Sequence, residues 1–141
     1  MNNISFNKLG VMIDCSRNAV MSVPTLKRWI DITASLGYNM LMLYTEDTYE
    51  VDNQPYFGYL RGRYSQKELR EIDDYAFEHG MELIPAIQTL AHLKSIFRWP
   101  AYIGINDCED ILLAGDENTY KLIDDIFASL EKTLRTRIVN I

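Results

Sequence analysis

Histidine and cysteine are scarce in this chain of 141 residues, which has two of each. Cys15 and Cys108 fit neither a metal-ligand spacing nor a disulfide framework, and read as reduced thiols of a cytosolic protein. His79 and His92 form no HxH or similar ligand set, and one imidazole rarely holds a catalytic metal, so no cofactor is expected. Basic residues are in the minority, 14 Lys and Arg against 20 Asp and Glu, for a formal charge of −6. That balance excludes the clustered basic surface that nucleic-acid binding needs. No apolar run approaches the ~20 residues that span a bilayer. The N-terminus, Met1-Asn2-Asn3-Ile4-Ser5-Phe6-Asn7-Lys8, lacks the basic start and apolar stretch of a signal peptide. A cytoplasmic protein with no membrane partner is expected. Low-complexity segments and Pro/Gly/Ser-rich linkers are missing too, so residues 1–141 read as one domain.

What remains is globular: 48% hydrophobic and 24% charged residues, enough to bury a core. Leu9-Gly10-Val11-Met12-Ile13 reads as a first strand. Pro24 suits the first turn of a helix, where its missing N–H costs nothing. Leu26, Trp29, Ile30 and Thr33 continue at helical spacing, and Gly37 supplies a left-handed stop. Met40-Leu41-Met42-Leu43 is a strand covered on both faces. A loop rich in Tyr, Asn, Asp and Gly spans residues 45–64, a length that is usually functional. Ser65-Gln66-Lys67-Glu68 is a capping box opening a second helix with Leu69, Ile72 and Ala76 inward, closed by Gly80. Met81-Glu82-Leu83-Ile84-Pro85-Ala86-Ile87 is a third strand, in which Pro85 predicts a bulge or irregularity. A second long loop covers residues 88–115. Asp116 then caps a helix predicted to turn Tyr120, Ile123, Phe127, Leu130 and Leu134 inward, and Arg137-Ile138-Val139-Asn140-Ile141 reads as a fourth strand. Four strands alternating with three helices predict an α/β fold, a parallel sheet with right-handed crossovers. The long loops after strands two and three favour the first half of a (β/α)8 TIM barrel, truncated at strand four, over a small open sheet.

Three polar clusters fall at the carboxyl ends of the strands, where parallel α/β folds gather their sites: Asp14-Cys15-Ser16-Arg17, Tyr44-Thr45-Glu46-Asp47 and Gln88-Thr89-Leu90-Ala91-His92. The planar fork of Arg17 suits vicinal hydroxyls or a carboxylate, including a loop carboxylate such as Asp14 or Asp47. Asp14 is expected to be buried, orienting Arg17 or nearby backbone. Glu46 and Asp47 are adjacent and point in different directions, so they read as loop capping or as an acid/base pair. His92 can hold a hydroxyl or shuttle a proton. His79, at a helix end, is structural. Among the loop aromatics Trp99, beside Pro100, is the best candidate for a platform stacking on a pyranose; the others read as loop packing.

At these residues the chain resembles the family 20 glycoside hydrolases, the β-N-acetylhexosaminidases, and within them the single-chain bacterial type with its barrel near the N-terminus. The resemblance runs through Val11-Met12-Ile13-Asp14-Cys15-Ser16-Arg17-Asn18, Leu43-Tyr44-Thr45-Glu46-Asp47-Thr48-Tyr49, Gly62-Arg63-Tyr64-Ser65 and Gln88-Thr89-Leu90-Ala91-His92. It implies that Arg17 binds hydroxyls of a terminal N-acetylhexosamine and that Asp47 lies near the non-reducing end. Gln88 and His92 would stand where the family often reads Asp-x-Pro-Gly-His, with Gln88 in place of the acid and Ala91 in place of the glycine. It also implies hydrolysis by substrate-assisted retaining catalysis, in which the acetamido oxygen forms an oxazoline and the protein needs no nucleophile. The family's Gly-x-Asp-Glu motif, with its general acid/base, would follow the strand that ends at Ile141. The 141 residues are therefore expected to bind an N-acetylhexosamine-containing glycan but to be inactive alone, with His92 in a supporting role. Unpaired strand edges and an open apolar face further predict a homodimer or larger self-assembly. Two other readings stay open: a carbohydrate-binding or assembly module without catalysis, and a metal-dependent barrel hydrolase using Asp14, Glu46, Asp47 and His92.

Overall fold

Strand, helix and strand alternate from Gly10 onward in the computed structural model, which describes residues 6–17 and 19–141. Residues 1–5, on which the signal-peptide reading partly rests, and Asn18 of the first motif lie outside the described residues. The elements are β1 (Gly10–Asp14), α1 (Val23–Ser35), β2 (Met40–Tyr44), α2 (Gln66–Glu78), β3 (Glu82–Ala86), α3 (Pro100–Ile103) and α4 (Glu117–Thr133). The strands pair in parallel in the order β1-β2-β3, with Met12 beside Met42 and Met42 beside Ile84.

Local signals in the sequence set the helix ends. Ser65 and Glu68 complete a reciprocal capping box, Ser65 N–H donating to Glu68 Oε2 at 2.8 Å. Asp116 accepts from Asn118 N–H at 2.8 Å. Gly37 and Gly80 take positive φ beyond their helices, a conformation that glycine enters at little cost. Leu26, Ile30 and Thr33 of α1 and Leu69, Ile72 and Ala76 of α2 are buried; Trp29 turns outward and is 41% exposed.

The inward face of α4 differs from the prediction. Thr119, Leu122, Ile126, Ser129, Leu130 and Thr133 are buried, with Leu134 just beyond the helix, whereas Tyr120 and Phe127 are exposed. Ser129 marks this rotation, because its hydroxyl finds a partner from outside the helix, whereas Thr119 Oγ1 is buried with no hydrogen-bond partner among the described residues. Ser129 Oγ accepts from Asp52 N–H at 2.8 Å, and Thr133 Oγ1 donates to the Ser129 carbonyl at 2.6 Å. A satisfied buried hydroxyl costs little, so Ser129 and Thr133 can face in.

Pro85 makes no bulge against β2. β3 keeps register with β2 through Leu43↔Pro85. Glu82 N–H donates to the Asn39 carbonyl and Thr45 N–H to the Ala86 carbonyl, so even-numbered residues of β3 serve β2 and Pro85 faces the other edge. Its missing donor is felt there. Residues 137–141 run beside β3 but make one parallel bridge, Ala86↔Asn140, in place of a fourth strand. Ile87 N–H donates to the Asn140 carbonyl at 2.9 Å and Asn140 N–H to the Pro85 carbonyl at 3.0 Å. The next rung would need a Pro85 N–H, and the ladder stops. The sheet therefore has three strands, with a fourth segment in the expected place, and the predicted helices gain a single turn, α3, inside the second long loop.

The first long loop packs its own core. Tyr49, Phe57 and Tyr64 are buried, Tyr49 and Phe57 meeting edge to face at 5.3 Å, and Tyr64 bridges in parallel to Tyr49. Val11, Ile13, Leu41, Leu43 and Leu83 belong to or pack on the main core, while Met12 on the opposite face of the sheet is 49% exposed. No helix among the described residues is long and apolar enough to cross a membrane.

Candidate functional site

The loops leaving β1, β2 and β3 converge on a cleft of about 790 Å³ that includes Ser16, Arg17, Glu46, Arg61 and His92 in its lining, within the size range of small-molecule sites. Its floor is set by backbone turns at the strand ends. Glu46 takes φ 50°, which turns its side chain to the cleft while Asp47 turns into the protein. Glu46 is buried, and its Oε1 accepts from Arg17 Nη1 at 2.9 Å, with the Arg17 side chain 68% exposed. Asp14, expected to be buried, is exposed. Its Oδ1 accepts from Ser16 Oγ at 2.6 Å and Ser16 N–H at 2.8 Å, and these hydrogen bonds hold its carboxyl below the usual range. Ser16 Oγ in turn accepts from Arg17 Nη1 at 3.2 Å. Asp14 thus steadies Arg17 through Ser16.

Arg61 is the residue that sequence reasoning missed. It pairs with Asp47 Oδ1, donates to the Ser16 carbonyl, and donates to Ser95 Oγ at 2.9 Å. One guanidinium therefore joins the loops that follow all three strands. The Arg61 side chain is 7% exposed and that of Asp47 1%. Desolvation raises the Asp47 carboxyl above its ordinary range, against the pull of Arg61. Asp47 does not line the cleft; it reaches the cleft through Arg61. The available signal was weak: Arg61 sits in an aromatic-rich loop of functional length, next to the Gly62-Arg63-Tyr64 motif.

Gln88 lies at the end of β3, its Nε2 donating to the Tyr44 hydroxyl at 2.9 Å. Burial and the nearby Glu46 raise the Tyr44 phenol, favouring the neutral, hydrogen-bonding form. His92 takes φ 60°, with an exposed ring whose Nδ1 lies 3.5 Å from Asp110 Oδ2. The same carboxylate oxygen accepts from His92 N–H at 3.1 Å. The turn is tied again where Leu93 N–H donates to the Asp110 carbonyl at 3.1 Å. Asp110, on the second long loop, was not singled out from the sequence.

Trp99, the expected stacking platform, is a packing residue. Tyr56 stacks on it at 5.6 Å and 28°, Tyr59 meets it edge-on at 5.3 Å, and the Arg98 guanidinium lies 5.2 Å from its ring centre. It does not line the cleft, because it packs against aromatics of the other long loop. Asp14, Glu46, Asp47 and His92 do not gather as a ligand set; among the described residues no group of three or more His, Cys, Asp or Glu does. Their partners are respectively Ser16, Arg17, Arg61 and Asp110. What the cleft offers is hydrogen bonding from fixed polar groups, with an open cationic fork at one side and an imidazole at another.

The catalytic-domain model of glycosyl hydrolase family 20 matches residues 6–141. Beta-hexosaminidase 3 of Arabidopsis thaliana is 26% identical over 145 residues, covering 96% of this chain and 27% of the relative. Among solved structures, Flavobacterium johnsoniae chitobiase superposes with a TM-score of 0.81 at 24% identity, covering 94% of this chain and 23% of that one. The exo-β-N-acetylglucosaminidase from Vibrio harveyi, in complex with N-acetylglucosamine, superposes with a TM-score of 0.85 at 17% identity, over 95% and 27%. The chain spans about a quarter of the length of these relatives. Its fold is that of the N-terminal part of their barrel.

Proposed function

The chain belongs to glycosyl hydrolase family 20, and on that premise we propose that its cleft grips the terminal N-acetylhexosamine of a glycan in a β-N-acetylhexosaminidase. The observation that carries this reading is the open fork of Arg17. Glu46 fixes the guanidinium through one nitrogen and leaves the side chain 68% exposed. A planar set of donors held in place suits the vicinal hydroxyls of a pyranose. His92, paired to Asp110, supplies a further oriented polar group in the lining, while Gln88, paired to Tyr44 at the end of β3, lies outside it. Asp47 acts indirectly, by holding Arg61.

In this reading the reaction is the retaining, substrate-assisted hydrolysis that the resemblance implies, the acetamido oxygen forming a bond to the anomeric carbon as the glycosidic bond breaks. Its general acid/base would come from a Gly-x-Asp-Glu motif after the segment 137–141. General acid catalysis is typically worth 10²–10⁴-fold, so residues 1–141 taken alone would bind sugar without turning it over. Calorimetry with N-acetylglucosamine and a chromogenic N-acetyl-β-glucosaminide test both parts. Millimolar binding that Arg17→Ala removes, with no turnover, is expected; binding indifferent to Arg17→Ala would sink the reading, and turnover would sink the claim of inactivity.

Self-association belongs to the same proposal. The outer edge of β1 has no partner strand among the described residues, and Leu9 and Met12, at and within that strand, are exposed. An unpaired edge with apolar neighbours favours pairing with a like surface. Light scattering at micromolar concentration should report a dimer; a stable, natively folded monomer would refute it.

A further inference from the structure

We propose that Lys94 and Arg98 form an anion subsite on the rim of the cleft, so that the preferred glycan carries an acidic group on, or next to, its N-acetylhexosamine. The inference rests on the sugar-binding reading above and narrows its substrate class to sulfated, phosphorylated or uronate-bearing glycans.

The charge is out of keeping with the rest of the chain. The protein carries a formal charge of −6, yet Arg17, Arg61, Lys94 and Arg98 line this one cleft. Glu46 offsets Arg17 and Asp47 offsets Arg61. Asp110, the remaining carboxylate, turns to His92. Asp14 also holds Arg17 through Ser16, so each carboxylate in or beneath the cleft is hydrogen-bonded or paired to Ser16, Arg17, Arg61 or His92. Lys94 and Arg98 are the lining cations with no ion pair among the described residues, Arg98 feeling Asp47 only through space.

The segment that carries the two side chains is also held in place. Leu93 and Ile96, fully buried, anchor their segment, and Ser95 between them is fixed by Arg61 at 2.9 Å. Arg98 lies over the Trp99 ring at 5.2 Å and gives one N–H to the Tyr59 carbonyl at 3.2 Å. Its other donors remain for a ligand, and a guanidinium so stacked is pre-organised for a bidentate anion. Lys94 is exposed and adds a mobile point charge. Since both are solvated, the gain is modest and falls with salt.

The test compares dissociation constants of the chain for N-acetylglucosamine, N-acetylglucosamine-6-sulfate and a disaccharide in which N-acetylglucosamine is linked to glucuronate, at low and at 0.5 M salt. At least one acidic sugar should bind about five-fold or more tightly than the neutral one at low salt. The 6-sulfate arm reports an acid on the sugar itself, and the disaccharide arm an acid on its neighbour. High salt, Lys94→Glu and Arg98→Gln should each bring the ratio toward one. Equal affinity for all three sugars would overturn the proposal while leaving the sugar-binding reading intact. An acidic preference that survives both variants would overturn it as well. Failure of all three sugars to bind would remove both.

Discussion

Replacing Arg61 with Met should destabilise this protein more than any surface substitution in the same loop. The change keeps the apolar stem and removes the guanidinium. Three contacts go with it: the ion pair to Asp47 and the hydrogen bonds to the Ser16 carbonyl and Ser95 Oγ. What decides the magnitude is the group left behind. Asp47 is 1% exposed, so its carboxylate would remain buried without a counter-charge. Breaking a buried pair from one side costs about 3–5 kcal/mol, against roughly 0–1 kcal/mol for a surface pair. The lower value is a large share of the ~5–15 kcal/mol that holds a domain folded. The loss should depend on pH. Burial already raises the Asp47 carboxyl above its ordinary 3.8 in the folded state, and removing Arg61 raises it further. A raised folded value means the protonated form is the better tolerated one, so stability is lost as pH rises through it. The variant's deficit should thus be full at pH 7 and narrow toward pH 4. Urea unfolding of both proteins at the two pH values measures it. A deficit below 1 kcal/mol at pH 7, or one that widens toward pH 4, would refute the keystone role of Arg61.

Gly58→Ala should cost about 2–3 kcal/mol, since Gly58 has φ 65° and an added Cβ would collide with the Asp47 carbonyl; an unchanged melting temperature would contradict this. Cys15 is buried, with its thiol pushed up to about 11 by desolvation and Asp14, whereas Cys108 is exposed. Iodoacetamide at pH 8 should therefore label Cys108 alone in the native protein and both thiols in urea, as peptide mass spectrometry can verify.

Short-range chemistry was legible in the sequence. The Ser65–Glu68 box, the Asp116 cap and the glycine stops at 37 and 80 depend on neighbours within a few residues, and the apolar runs found the strands because buried parallel strands are apolar throughout. Long-range partners were not legible. Nothing near Arg61 in sequence shows that it meets Ser16, Asp47 and Ser95. Trp99 looked like a free face because its covering residues, Tyr56 and Tyr59, belong to the other long loop. The rotation of α4 is hidden in the sequence for the same reason. Ranking by hydrophobicity puts Phe127 inside and Ser129 outside, but Ser129 is the residue with a buried partner, the Asp52 amide. Pro85 was correctly marked as a missing donor, and only the sheet's handedness of bonding shows which edge loses it.

The most direct test of the account is where N-acetylglucosamine binds. In a titration followed by ¹H–¹⁵N NMR, shifts are expected at the Arg17 side chain, the Gln88 amide and the backbone of Glu46 and His92. None is expected at Gly80 or Thr136, which line a different pocket, and the shifts should be lost in Arg17→Ala. Shifts confined to Tyr56, Tyr59 and Trp99, or shifts that persist in Arg17→Ala, would contradict the sugar-binding reading.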